Sequence, residues 1–186
     1  MKNIAIFASG EGTNAERIVR YFLENSTIRV AIIITNKPNA GVIKRAKSLG
    51  IHALFLTKEE LQGERIMEVL KEHDIDFIVL AGYLAKISDE ILHIFPNRII
   101  NIHPSLLPKY GGKGMYGLKV HQAVLDAKDK ESGITIHYIN SEYDKGEVIV
   151  QEKCEVLDSD TAESLAERVH KLEYKYYPET IEKLLS

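Results

Sequence analysis

Asn101-Ile102-His103-Pro104-Ser105-Leu106-Leu107-Pro108 is the stretch whose residue types best suit chemistry. Asn101 and His103 are two apart at the end of an apolar run, so in an extended segment they share one face. An amide donor beside a titratable imidazole suits a reaction that builds an oxyanion and moves a proton. The blander reading is a strand end whose histidine bonds locally. A second candidate is Ser9-Gly10-Glu11-Gly12-Thr13-Asn14, between an apolar run and an amphipathic stretch. Glycines there let phosphate approach the backbone, the N–H groups of a helix start attract it, and Thr13 and Asn14 add donors. No Gly-Lys-Ser/Thr follows, which excludes a Walker loop, while Ala15 keeps the looser dinucleotide spacing open. The alternative is a tight turn in which Thr13 or Asn14 only caps the helix. Asp144 is the third candidate, in the turn Asp144-Lys145-Gly146 after an alternating strand that carries Thr135 and His137. An aspartate near an imidazole favours the imidazolium, but spacing alone gives Asp144 only turn chemistry. The other six histidines, with His52, His73 and His93 in helix-end or turn contexts, carry no functional reading.

The elements that must position these residues follow from periodicity. Ile4 to Ala8, Val30 to Ile34, Ala53 to Leu56, Phe77 to Leu80 and Ile99 to Ile102 read as strands, several of them continuously apolar as a sheet covered on both faces requires. Between them, Ile18, Val19, Phe22 and Leu23 mark one amphipathic helix. Val42 to Leu49 marks another, stopped by Gly50. Thr57 with Glu60 is a capping box opening the next helical region, and Ser88 can cap a short helix ending near Phe95-Pro96. This alternation predicts an α/β fold, a mostly parallel twisted sheet with helices on both faces. After residue 104 the pattern changes. Ser105 to Gly117 is loop, Leu118 to Ala127 is helical, and Ile134 to Ile139 pairs with Val148 to Val156 as a hairpin-like antiparallel extension in the second half. Asp160 with Glu163 caps a final helix that Pro178 should kink or end. We read 1–186 as a single domain.

Composition excludes several classes. The 186 residues are 45% hydrophobic and 27% charged, which is ordinary globular composition. With 24 basic and 27 acidic residues the net charge is −3, so no global positive field recruits nucleic acid. The single cysteine, Cys154, supports neither an internal disulfide nor a cysteine metal cage. Neither a signal-peptide layout nor a run of ~20 apolar residues is visible, so a cytoplasmic protein without a membrane partner is expected.

Taken together, the glycine loop, Leu80-Ala81-Gly82-Tyr83, the Asn101–Pro108 string, Asp144 and the late Glu173-Tyr174-x-x-Tyr177-Pro178 resemble the phosphoribosylglycinamide formyltransferases, folate-dependent enzymes of purine synthesis. The resemblance covers essentially the whole chain and implies a Rossmann-like formyltransferase fold. It implies transfer of a formyl group from 10-formyltetrahydrofolate, as co-substrate and without a metal, to the amine of 5'-phosphoribosylglycinamide by direct attack. Asn101, His103 and Asp144 match the catalytic trio. Gly12, Thr13 and Asn14 match the segment holding the ribotide phosphate, with Glu173 at the amine or ribose. Leu84, Ala85, Lys86 and Ile87 match the segment lining the pterin pocket, which Asn101 also faces, and Lys58 would meet the folate glutamate. The implied partners are small molecules, with a monomer or homodimer as the assembly. Two departures stand out: Ala85-Lys86, where arginine before an apolar residue is commoner, and a longer Lys109–Gly117 segment. Methionyl-tRNA formyltransferase would need a further domain and a basic surface. A formyltetrahydrofolate hydrolase usually has an extra regulatory domain. A nucleotide-binding module would leave Asn101, His103 and Asp144 without a shared purpose.

Overall fold

In the computed structural model, which describes residues 1–142 and 144–186, the chain forms two compact units. The first comprises Met1–Ile100 with Ile181–Ser186, and the second Asn101–Thr180.

The first unit is built on parallel strands β1 (Lys2–Phe7), β2 (Ile28–Thr35), β3 (Ala53–Phe55) and β4 (Phe77–Leu80). β1 pairs with both β2 and β4, and β2 with β3, all in parallel. Ile4, Ile6, Phe7, Ile33 and Val79 are almost completely buried, which explains the continuously apolar runs. Helix α1 (Thr13–Phe22) buries Ala15, Ile18, Val19 and Phe22, one stripe at helical spacing. Helix α2 (Gly41–Ser48) ends as expected at Gly50, where φ is +70° and Ile51 N–H returns to the Ala46 carbonyl. The capping box at Thr57 and Glu60 is formed, but Gly63 divides the region into α3 (Lys58–Gln62) and α4 (Glu64–Glu72). Ser88 caps α5 (Asp89–Ile94) through Ile91 N–H.

Strand β5 (Ile99–His103) begins in the first unit and ends in the second. The second unit continues with α6 (Leu118–Asp126) and the strands β6 (Glu131–Tyr138) and β7 (Val148–Glu155), paired antiparallel. Among the described residues the strands are ordered β3-β2-β1-β4-β5-β6-β7, so the sheet is mixed, with its antiparallel part in the second half.

The last helix, α7 (Ala162–Leu185), corrects two expectations. Its cap is Thr161, one residue later than read from the sequence: Thr161 Oγ1 accepts from Ser164 N–H, and Ser164 Oγ accepts from Thr161 N–H. Asp160 is drawn off into an ion pair with Arg168, which holds its carboxyl well below the usual range. The helix also does not end at Pro178. An interior proline costs about 3 kcal/mol, but Tyr177 before it and Ile181 after it are fully buried, and such burial stabilises by about 1.5–3 kcal/mol per side chain.

Candidate active site

The end of β5 presents Asn101 and His103 two residues apart, and the second unit gathers around them the side chains of His137 and Asp144. His137, fully buried on β6, is decisive for the tautomers. Its Nδ1 lies 2.9 Å from the Tyr138 carbonyl, which can only accept, so Nδ1 carries the proton. Nε2 is then an acceptor, and Asn101 Nδ2 donates to it at 3.2 Å. Burial pushes the His137 pKa down, which keeps the ring neutral and this assignment intact. One amide hydrogen of Asn101 is thereby fixed, and the amide is oriented with it.

His103 is 5% exposed and fastened at both ring nitrogens. Nε2 donates to the Tyr110 carbonyl at 2.7 Å, and Nδ1 faces Asp144 Oδ2 at 3.7 Å, within ion-pair reach of a protonated ring. The other oxygen of Asp144 stands 3.7 Å from His137 Nε2. Asp144 adopts φ +55°, a left-handed conformation that aspartate tolerates better than most residues, and Oδ2 accepts from Gly112 N–H at 2.8 Å. The carboxylate thus lies between two imidazoles, within ion-pair reach of a protonated His103, and fastens the glycine-rich loop through Gly112.

A buried hydroxyl secures the turn that follows His103. Thr135 Oγ1 donates to the Ser105 carbonyl at 2.7 Å and accepts from Leu107 N–H at 3.0 Å and Gln151 Nε2 at 2.9 Å. Gln151 Nε2 also donates to the Leu107 carbonyl, and Ser105 Oγ to that of Lys109.

A second cluster in the same unit involves Glu173, which is 4% exposed on α7 and accepts from His170 Nδ1 at 2.7 Å. That contact raises the His170 pKa, and the ring stacks on Tyr174. His121 on α6 is 2% exposed, and its Nδ1 has no hydrogen-bond partner among the described residues. Burial, followed by the nearby His170, pushes its pKa down to about 4.

The glycine loop of the first unit follows β1 as expected. Gly12 has φ +77° and its carbonyl accepts the first helical bond, from Glu16 N–H, with Thr13 and Asn14 half-buried in the opening turn of α1. A Cβ at Gly12 would collide with the Val42 side chain and Cα, so the backbone is pressed down onto α2. Val42 N–H to the Gly10 carbonyl and Arg45 Nε to the Glu11 carbonyl hold it there. Segment 84–87, after β4, has Leu84 and Lys86 exposed, Ala85 half-buried and Ile87 buried. Lys86 pairs with Asp89, while exposed Lys58 makes no hydrogen bond or ion pair among the described residues.

His137, Tyr110 and Gly112 are members of the β5 cluster that the sequence reading missed, and His121 and His170 stand beside Glu173 where no histidine was expected to matter. The available signal was the two-residue alternation of Thr135 and His137, which puts both on one face of β6. His52 and His93 are exposed and His73 is half-buried, as expected. Among the described residues, no group of three or more His, Cys, Asp or Glu side chains could hold a metal ion.

A parallel α/β unit joined to an antiparallel pair, with an Asn-x-His strand end beside a second buried histidine and an aspartate, matches a known class. The chain belongs to the formyl transferase family, whose profile matches residues 2–181. Phosphoribosylglycinamide formyltransferase of Bacillus subtilis is 39% identical over 191 residues, covering 100% of this chain and 95% of that one. The crystal structure of phosphoribosylglycinamide formyltransferase from Bacillus halodurans has a TM-score of 0.88 at 38% identity, covering 100% of this chain and 96% of that one. Within the family, the chain therefore falls with the phosphoribosylglycinamide formyltransferases. The chloroplastic phosphoribosylglycinamide formyltransferase of Arabidopsis thaliana is 42% identical over 97% of this chain, which spans only 64% of that relative.

Proposed function

We propose that the protein transfers the formyl group of 10-formyltetrahydrofolate to the amine of 5'-phosphoribosylglycinamide, a step of de novo purine biosynthesis, with 1–186 acting as a single formyltransferase domain in the cytoplasm. The observation that carries this reading is the cluster at the end of β5, where Asn101, His103, His137 and Asp144 share one set of contacts. The amine nitrogen attacks the formyl carbon, and the carbonyl electron pair moves onto oxygen. Asn101, with one amide hydrogen held by His137, offers the other to that oxyanion. Collapse of the tetrahedral intermediate breaks the bond to the folate nitrogen, which takes a proton from His103. Both nitrogens of His103 already have contacts, so one of them must open for the proton to leave. The bond to the Tyr110 carbonyl is the one bordered by the glycine-rich stretch 111–117, whose Gly112, Gly114 and Gly117 all have positive φ. Asp144 pairs with the imidazolium and orders the water that relays the proton lost by the amine.

Gly12, Thr13 and Asn14 hold the ribotide phosphate at the N-terminus of α1, which the open backbone and the helix start support. Buried Glu173 binds the amine or ribose. Leu84, Ala85, Lys86 and Ile87 line the pterin pocket through their backbone, and Lys58 meets the folate glutamate. The deciding assay follows 10-formyltetrahydrofolate with and without glycinamide ribotide. Release of tetrahydrofolate that depends on the ribotide identifies the transferase. Equal release without it assigns a hydrolase instead.

A further inference from the structure

We propose that Ser9 is a positioning residue that couples the two ligand segments of the first unit, so that filling either one tightens the other. Ser9 follows β1 and opens the glycine loop, yet it is only 8% exposed. Its backbone N–H donates to the Gly82 carbonyl at 3.1 Å. Its hydroxyl donates to Asn36 Oδ1 at 2.7 Å and accepts from Leu84 N–H at 2.9 Å. A serine hydroxyl has a single proton, and here it goes to Asn36, so the lone pairs are what remain for Leu84. One buried side chain therefore hooks together the loops that follow β1, β2 and β4, at the strand ends where open α/β sheets take their ligands. Leu84 is the first residue of segment 84–87, and Ser9 stands three residues before Gly12.

This inference rests on the reading of those two segments as folate and ribotide sites. A phosphate that orders the glycine loop also fixes the Ser9 side chain, and with it the Leu84 amide. The ordering cost of segment 84–87 is then already met when the second ligand arrives. Coupling of this kind is reciprocal: each ligand raises the affinity for the other by one and the same factor.

Tetrahydrofolate and glycinamide ribotide form a complex that cannot react, because no formyl group is present. Calorimetric titration of either one, alone and with the other saturating, gives the coupling factor directly. In the wild-type protein the factor should lie in the range of roughly 5–150-fold typical of coupled sites. In Ser9→Ala it should collapse to about one, with each ligand alone still bound within about threefold of wild type. Ser9→Cys keeps the unbranched side chain, somewhat enlarged at sulfur, while offering a poor acceptor, and the same loss is expected there even if the alanine variant does not fold. An unchanged coupling factor in a folded variant overturns the proposal, as does the absence of coupling in the wild type. A wild-type protein that binds neither ligand fails earlier, at the reading of the segments themselves.

Discussion

Asn101 owes its orientation to a histidine that stays neutral, whereas His103 donates to the Tyr110 carbonyl and faces the Asp144 carboxylate. Both arrangements are bought with burial. If His103 supplies the proton and stabilises the oxyanion, His103→Ala should lower turnover by ~10²–10⁴ while the circular dichroism spectrum shows that the fold survives. Near-normal turnover in that variant would remove His103 from the reaction. Asp144 is a sharper test, because asparagine also tolerates φ near +55° and its carbonyl can still accept from Gly112 N–H. Asp144→Asn should therefore change stability by less than about 1 kcal/mol, yet cut turnover through loss of the charge beside the imidazolium. A variant that loses both together would restore the turn-only reading. At this scale the sequence was informative where chemistry follows local spacing, as it does for Asn101 and His103. It placed His137 on an alternating strand but gave no sign that it meets Asn101, a contact made only through strands distant in the chain. Asp144 was legible by resemblance alone, since an aspartate in an Asp-Lys-Gly turn has a sufficient local reason to be there.

Elements hold these residues through few contacts, and each is a place to intervene. Thr135 satisfies three backbone or side-chain partners with one hydroxyl. Thr135→Val keeps the shape and strands buried polar groups of the 105–109 turn, which should cost about 1–3 kcal/mol. The shift of the urea midpoint measures it, and no shift would mean that the turn is held without the hydroxyl. Gly12 combines positive φ with contact against Val42. Gly12→Val should impair ribotide binding far more than folate binding, because it pushes the loop off α2 where phosphate would sit. Separate titrations decide, and equal losses for both ligands would point to general misfolding. Strands, the caps at Thr57 and Ser88 and the Gly50 stop were legible because they are local, whereas the α7 cap lies at Thr161 because Arg168 draws Asp160 away. That Pro178 does not end α7 was not legible, because a proline's cost is local, whereas the burial of Tyr177 and Ile181 that outweighs it is set by tertiary packing.

At the scale of the molecule, buried His121 and half-buried His170 contribute to the response to acid in opposite senses. His121 has an ordinary value near 6.5 when the chain is unfolded and about 4 when folded. Between those values the unfolded chain binds a proton that the folded one refuses, so stability rises with pH across this window and is lost as pH falls through it. The loss approaches about 3 kcal/mol once pH reaches the folded value. His170 acts in the opposite sense, because its folded pKa is raised by Glu173. Its contribution is complete below the unfolded value and fades as pH rises through the folded one. Urea unfolding between about pH 6 and pH 4.5 should therefore show a slope shallower by up to about 1.4 kcal/mol per pH unit in His121→Asn than in wild type. Equal slopes would mean that His121 takes up its proton without unfolding the protein.

Residues 181–186 belong to the first unit although the whole of 101–180 comes between. Within that unit Tyr21 and Asn25 both donate to Glu182, and Ile181 is fully buried. On the ribosome, where domains tend to fold as they emerge, the first hundred residues can collapse early but must wait for these anchors until the intervening chain has been made. The nascent sheet would spend that interval with an unsealed apolar patch, a time when chaperones matter more than they do for the finished protein. Long sequence separation between partners is also what slows folding in general. A circular permutant that carries 181–186 ahead of β1 would shorten the wait, at the cost of opening α7 between Thr180 and Ile181.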